Sequence, residues 1–336
     1  SSAASDVHKR QGADSVISVG GGTISTAADA DKSHNFYAAR VEKGTVNINM
    51  KNGAPGSART NIIGDMYVTG QYGKKVIEYS GGQLADWQHR GNLHVALTDK
   101  DSSWTGVAAY EQYNDNYGSG GNTMHDIGNF DLYLQNGATW TNEQQSHVTT
   151  TTLAGKNPVY NGSYLMKLHG GSDAVHKGYI YQKDSKPITV DNYSGHTLVF
   201  YDHTGDGSAA ENYSAGDFRI KTAEEGSSIT LRTGAGGINT ADKTAAGKAL
   251  NSLANKLYYM SYAQGDTKLK GTVEIAEGLT SSSVSASGDI AFRTDTAADK
   301  NGQGTYVYEP EEPLDGPIIK DRLLKGETTV TADDTH

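Results

Sequence analysis

The segments GNLHVALTDKDSSWTG (residues 91–106) and GNFDLYLQNGATWTNE (residues 128–143) are two versions of one pattern. Each opens on Gly-Asn, alternates apolar and other side chains, turns through small polar residues and reaches Trp-Thr. In the first, Leu93, Val95 and Leu97 alternate with His94 and Ala96. In the second, Phe130, Leu132 and Leu134 alternate with Asp131 and Tyr133. Successive side chains on a strand face opposite sides, so each segment predicts a strand buried on one face. A strand–turn–aromatic unit repeated without intervening helices predicts stacking, each unit completing its core against the next. On this reading Gly91 and Gly128 open the strands, Trp104 and Trp140 pack at the corners, and all four are structural.

The rest of the chain carries the same texture. GTVNINMKNG (residues 44–53) alternates with Val46, Ile48 and Met50 inward and Asn47 and Asn49 outward. NGSYLMKLHGG sets Tyr164, Met166 and Leu168 on one face, KGTVEIAEG sets Val273 and Ile275 inward, and residues 196–201 are apolar on both faces. The chain has 41 glycines, 20 tyrosines and only 6 prolines, a mix suited to many short strands joined by tight turns. A β-helix needs about 20 to 25 residues per coil, so the patterned region predicts roughly a dozen coils. Stacked at about 4.8 Å, these would form a rod on the order of 55 to 65 Å long.

One segment departs from the strand pattern. In DKTAAGKALNSLANKLYYMSY (residues 242–262), Ala246, Ala249, Leu250, Leu253, Leu257 and Met260 recur at three- and four-residue steps. That stripe predicts one amphipathic helix docked on the stack, with Thr240 or Asp242 as its cap and Gly265 past its end. Residues 1–20 are small and polar and are expected to be flexible. Residues 21–308 form the patterned body, and 309–336 read as an acidic, proline-containing linker leading into a further segment.

A net charge of −10 without basic runs disfavours nucleic acid and anionic lipid as partners. No window is apolar enough for a membrane-spanning helix. The absence of cysteine excludes disulfides, thiolate metal sites and cysteine catalysis.

The segments TGQYGKKVIEYSGGQLADW, NLHVALTDKDSSWTGVAAYEQYND and NFDLYLQNGATWTNE resemble passenger domains of Gram-negative autotransporter adhesins of type V secretion. YDHTGDG, YSAGDFRIKTAEEGSSITL and the single helix followed by GTVEIAEGLTSS resemble the carboxyl-side region of such passengers. The resemblance implies an all-β, right-handed parallel β-helix, exported across the outer membrane and displayed at the bacterial cell surface or secreted. It implies a non-enzymatic role in adhesion, self-association or biofilm formation. The long signal sequence and the barrel strands of that family have no counterpart in this sequence, so the expectation is a fragment or a released passenger.

Candidate sites are few. Tyr110, Tyr113 and Tyr117, with Asp115, lie in a Tyr-rich stretch expected to form a loop. Flat rings beside polar groups suit a host or matrix glycan or protein; the bland alternative is rings covering an apolar flank. The Thr149–Thr152 run is a second contact candidate, for pairing one copy with another. Asp202, Asp206 and Glu211 have oxygens suited to calcium, but their spacing is that of a solvated turn, and no cofactor or metal is expected. Neither a GxSxG elbow, a Walker loop nor an HExxH pair occurs. The alternative function is a polysaccharide lyase or hydrolase, which would require Asp99, Asp101, Asp115 and Asp131 to converge.

Overall fold

The computed structural model describes residues 15–26, 36–41, 44–68, 70–71, 89–115, 122–126, 128–146 and 159–292. The described chain is mostly β, with one α-helix. It divides into two compact units, Ser1–Leu168 and His169–His336.

In the first unit the chain visits three parallel ladders in turn. Val16–Val19, Gly44–Ile48, His89–Leu97 and Asn129–Leu134 form the first. Gly22–Ser25, Thr60–Ile63, Ser103–Thr105 and Thr139–Asn142 form the second. Tyr37–Val41, Asp65–Val68 and Ala108–Asp115 form the third. The two look-alike segments are neighbours in register: Leu93 lies beside Phe130, Val95 beside Leu132 and Leu97 beside Leu134. All six side chains are buried, so the inner stack is continuous from strand to strand. The first strand, Val16–Val19, falls within the segment expected to be flexible and pairs with Gly44–Ile48.

Some outward assignments differ. Ala96 is buried although it alternates with Val95 and Leu97. Asn49, expected outward, is buried and left-handed at φ 54°. Its amide nitrogen donates to the carbonyls of Gly56, Ala58 and Ala96, and its Oδ1 accepts from the Ala58 N–H. Asparagine tolerates this conformation, so the residue ends the strand and turns the chain. Met50, expected inward, joins a two-residue hairpin, Met50–Lys51 with Ala54–Pro55, and is only half-buried. Asn49→Ala is expected to lower the unfolding free energy by about 2 to 3 kcal/mol, combining backbone strain with orphaned carbonyls. A urea titration followed by circular dichroism measures it.

The strand His89–Leu97 begins two residues before the expected start at Gly91; Gly91 pairs with Gly44, and a Cβ there would collide with the Val41 carbonyl oxygen. Gly128 is buried, and its N–H donates to the Val68 carbonyl at 3.1 Å. Along Val159–His169 the buried apolar residues are Leu165 and Leu168, while Tyr164 and Met166 are half-buried. The alternation therefore slips phase within this strand, and the three residues expected on one face are split.

In the second unit, Gly178–Gln182, His196–Tyr201, Ser228–Gly234 and Lys270–Ala276 run parallel. Ile180, Val199, Leu231 and Val273 stand in one register row and are all fully buried. A second parallel ladder joins Ile188–Ser194, Phe218–Ala223 and Leu257–Tyr259. Val284–Asp289 pairs antiparallel with Lys270–Ala276.

The helix spans Lys243–Ala254 and ends earlier than the sequence stripe predicts. Asp242 caps it, accepting from the Thr244 and Ala245 N–H groups, and Ala246, Ala249, Leu250 and Leu253 form the buried face. Beyond it, Leu257–Tyr259 becomes a strand beside Phe218–Ala223. Burying Leu257 and Tyr259 in a ladder outweighs continuing the helical stripe. Gly265, in the left-handed conformation at φ 87°, closes the short turn Met260–Gln264.

Candidate functional site: an outer Ser/Thr/Asn ladder

The second ladder of the first unit contains both Trp-Thr pairs, within its strands and not at corners. Ile62, Trp104 and Trp140 point inward and are buried. The two indoles stack in parallel at 4.8 Å between centroids, 1° from coplanar, and Trp104 also meets the Phe130 ring. Trp104 Nε1 donates to the Gly64 carbonyl at 3.0 Å, and Trp140 Nε1 donates to the Gly106 carbonyl at 2.9 Å. Each ring is thereby fixed to the corner of the preceding repeat. Gly106 has φ 152°, and a Cβ there would strike the Gly64 carbonyl and the Trp104 indole nitrogen. No other residue type fits that corner without displacing the ring.

With the rings inward, the alternate positions face solvent in two straight rows. One is Thr23, Asn61, Ser103 and Thr139; the other is Ser25, Ile63, Thr105 and Thr141. Ser103 Oγ donates to Asn61 Oδ1 at 3.0 Å, joining neighbours along the first row. Thr23, Ser25 and Ile63 are exposed, Ile63 at 49%, and the remaining members are half-buried. Neighbours within a row stand about 4.8 Å apart, and the rows lie about 7 Å apart. Neither row contains a titratable group. Such a face has no acid, base or nucleophile poised for a reaction; it offers uncharged hydroxyls, an amide and methyls at a regular spacing.

A second polar face lies on the first ladder. Asn129 Nδ2 donates to Asn92 Oδ1 at 2.7 Å, and Asn92 Nδ2 donates to the Gly44 carbonyl. In the adjacent row His94 Nδ1 lies 3.3 Å from Asp131 Oδ2, beside Asn47.

Asp65 is a fully buried carboxyl of the first unit. It accepts the Val107, Gln145 and Ser146 N–H groups and the Ser146 hydroxyl. Burial pushes its carboxyl above the usual range, while these hydrogen bonds pull it down. The residue acts by tying Val107 and the 145–146 segment to its own strand.

In the second unit, burial raises Asp217 and lowers Lys256, with the two charges partly countering those shifts. Lys256 Nζ donates to the Ala215 carbonyl at 2.9 Å and lies 3.9 Å from Asp217. Arg219 stands 3.6 Å from Asp217 and over the Tyr258 ring. The cluster binds the segment after the helix to the preceding repeat.

The described part of the Tyr-rich stretch, residues 108–115, is a strand rather than the expected loop. Tyr110 and Tyr113 lie in Ala108–Asp115, which pairs antiparallel with Asn122–Asp126, placing Tyr113 opposite Met124 and Asp115 opposite Asn122. Tyr117 lies outside the described residues, as do Thr149–Thr152, Trp87 and residues 309–336.

Of the carboxylates in the enzymatic reading, Asp99, Asp101 and Asp131 have separate partners. Asp99 accepts the Asp101 N–H, Asp101 meets Lys100 at 3.1 Å, and Asp131 meets His94; Asp115 ends the hairpin strand. Asp202 faces Lys183 at 3.8 Å, and Asp206 accepts the Ser208 N–H and hydroxyl, which lower its pKa; Glu211 is exposed. Among the described residues no group of three His, Asp or Glu side chains is placed to hold a metal ion. No helix among them is long and apolar enough to cross a membrane.

The outer rows had a signal in the sequence: alternation in SWT and TWT puts hydroxyl residues on both sides of an inward ring. Asn49 and Asp65 gave no such signal, because a polar side chain looks solvated until its partners are placed, Ala96 for Asn49 and Val107, Gln145 and Ser146 for Asp65. Comparison of the chain with models of known families, with curated proteins and with solved structures finds no match.

Proposed function

We propose that the chain is a surface-displayed passenger of the autotransporter kind, built as a right-handed parallel β-helix, that acts by side-to-side contact in adhesion, self-association or biofilm formation. Successive strands return to the same ladders in the same order, and parallel crossovers within a sheet are overwhelmingly right-handed. The observation that carries the functional reading is the uncharged double row Thr23/Asn61/Ser103/Thr139 and Ser25/Ile63/Thr105/Thr141. Flat, regularly spaced Ser, Thr and Asn side chains suit many weak lateral bonds with a second such face, in the manner of a zipper. Affinity then comes from the number of repeats engaged more than from any single residue.

Sedimentation of the purified chain over a wide concentration range is expected to show reversible self-association. Ile63→Lys combined with Thr105→Lys places two like charges on each facing surface and is expected to leave a monomer at every concentration. A wild-type chain that sediments as a monomer throughout would remove the self-association reading.

A further inference from the structure

The strand Gly178–Gln182 carries large side chains where the first unit's outer rows carry small ones. Gly178, Ile180 and Gln182 are buried, so Lys177, Tyr179, Tyr181 and Lys183 occupy the outer face in alternation. Both tyrosines are half-buried and Lys183 is exposed. Tyr181 is braced edge-on by Phe200 at 5.7 Å between centroids, with the rings 65° apart. Its neighbour in register is that same Phe200, and the row continues to Arg232 and Glu274. Burial, with the Asp202 charge and Tyr179 adding to it, raises the Tyr181 phenol, which stays neutral. The phenols are therefore hydrogen-bonding tips on fixed rings.

The charges around these rings are unevenly paired. Arg232 is committed to Glu274 at 2.6 Å and to the Leu279 and Ser281 carbonyls. Lys183 is held by Asp202 only at 3.8 Å, with the two side chains 44% and 66% exposed. Such an exposed pair contributes little and yields readily to a competing anion. Lys177 is half-buried within range of both Arg232 and Glu274, and Lys270 ends the row that holds His196 and Ser228. On a chain of net charge −10 this face collects cations beside aromatic surface.

We propose that Lys177, Tyr179, Tyr181 and Lys183, with Phe200 behind them, form a binding strip for an acidic, uronate-type polysaccharide. The tyrosine rings supply flat apolar surface for the faces of the sugar rings, and their hydroxyls supply hydrogen bonds to sugar hydroxyls. The lysines at either end take the carboxylates. Six residues of extended strand place those ends about 20 Å apart, the reach of a short oligosaccharide. The strip lies wholly in the second unit and does not depend on the outer ladder of the first.

The test is binding of oligogalacturonate, with dextran as the neutral control, to the full chain. Oligogalacturonate is expected to bind and to weaken as salt rises from about 0.05 to 0.5 M. Tyr179→Ala with Tyr181→Ala is expected to weaken binding about tenfold or more, and Lys183→Glu to weaken it while flattening the salt dependence. Tyr181→Phe, which keeps the ring, is expected to retain most of the affinity, separating ring contact from folding. Ile63→Lys with Thr105→Lys is expected to bind like wild type, so failure of one proposal leaves the other standing. Absence of oligogalacturonate binding, equal binding of dextran, or an unchanged affinity in the double tyrosine variant would overturn the assignment.

Discussion

Trp140→Ala is expected to destabilise the protein by about 3 to 5 kcal/mol, the range for removing a large buried aromatic side chain. The indole is fully buried, stacks on Trp104 at 4.8 Å and donates to the Gly106 carbonyl. Its removal leaves a cavity beside the Trp104 face and takes the indole donor from the Gly106 carbonyl. Trp140→Phe keeps part of the stacking and loses the donor, so a smaller cost of about 1 to 3 kcal/mol is expected. Guanidinium unfolding followed by far-ultraviolet circular dichroism measures both. Equal midpoints for Trp140→Ala and wild type would show that the stacked indoles contribute nothing to stability.

The second large effect belongs to Asp65. Asp65→Ala leaves the Val107, Gln145 and Ser146 N–H groups without their acceptor, and a loss of about 3 to 5 kcal/mol is expected. The pH dependence has a definite sign. Burial holds the native carboxyl above the ordinary carboxylate value of 3.8, so the native state keeps this proton more tightly than the unfolded chain does. That contribution is complete below the unfolded pKa and is lost as pH rises through the raised native value. Asp65→Asn removes the titration. The stability of wild type relative to Asp65→Asn is therefore expected to decline as pH rises from below 3.8 through the raised native value. Urea midpoints at a series of pH values measure the difference; a difference that grows with pH would reverse the assignment.

The paired segments at Gly91 and Gly128 were legible in the sequence because burial on one strand face leaves a period of two, and their register follows from like stacking on like. Trp104 and Trp140 were legible as packing residues, though they stand within the strands Ser103–Thr105 and Thr139–Asn142 and not at corners. The helix was legible in its cap and its first three turns. Its end was not, because the Leu257–Tyr259 ladder competes with the helical stripe through partners in Phe218–Ala223. Asn49 and Asp65 were illegible: a polar residue looks solvated in sequence, and the donors that satisfy Asp65 lie 42, 80 and 81 residues away. The tyrosine stretch was read as a loop because the pairing strand Asn122–Asp126 has weak alternation of its own. The Lys177–Lys183 strip was illegible as a site, because its outward orientation depends on the burial of Ile180 against Val199.

The register that sets His89–Leu97 between Gly44–Ile48 and Asn129–Leu134 also governs how such a chain can change its length. Gain or loss of one residue inside a strand would turn every later side chain in that strand to the opposite face. Gain or loss of one whole repeat brings equivalent residues back into contact, with a Gly-Asn start again beside a Gly-Asn start. Duplication and deletion in a lineage carrying this pattern should accordingly be fixed in blocks of a complete repeat, while insertions of other sizes are confined to the connections between strands.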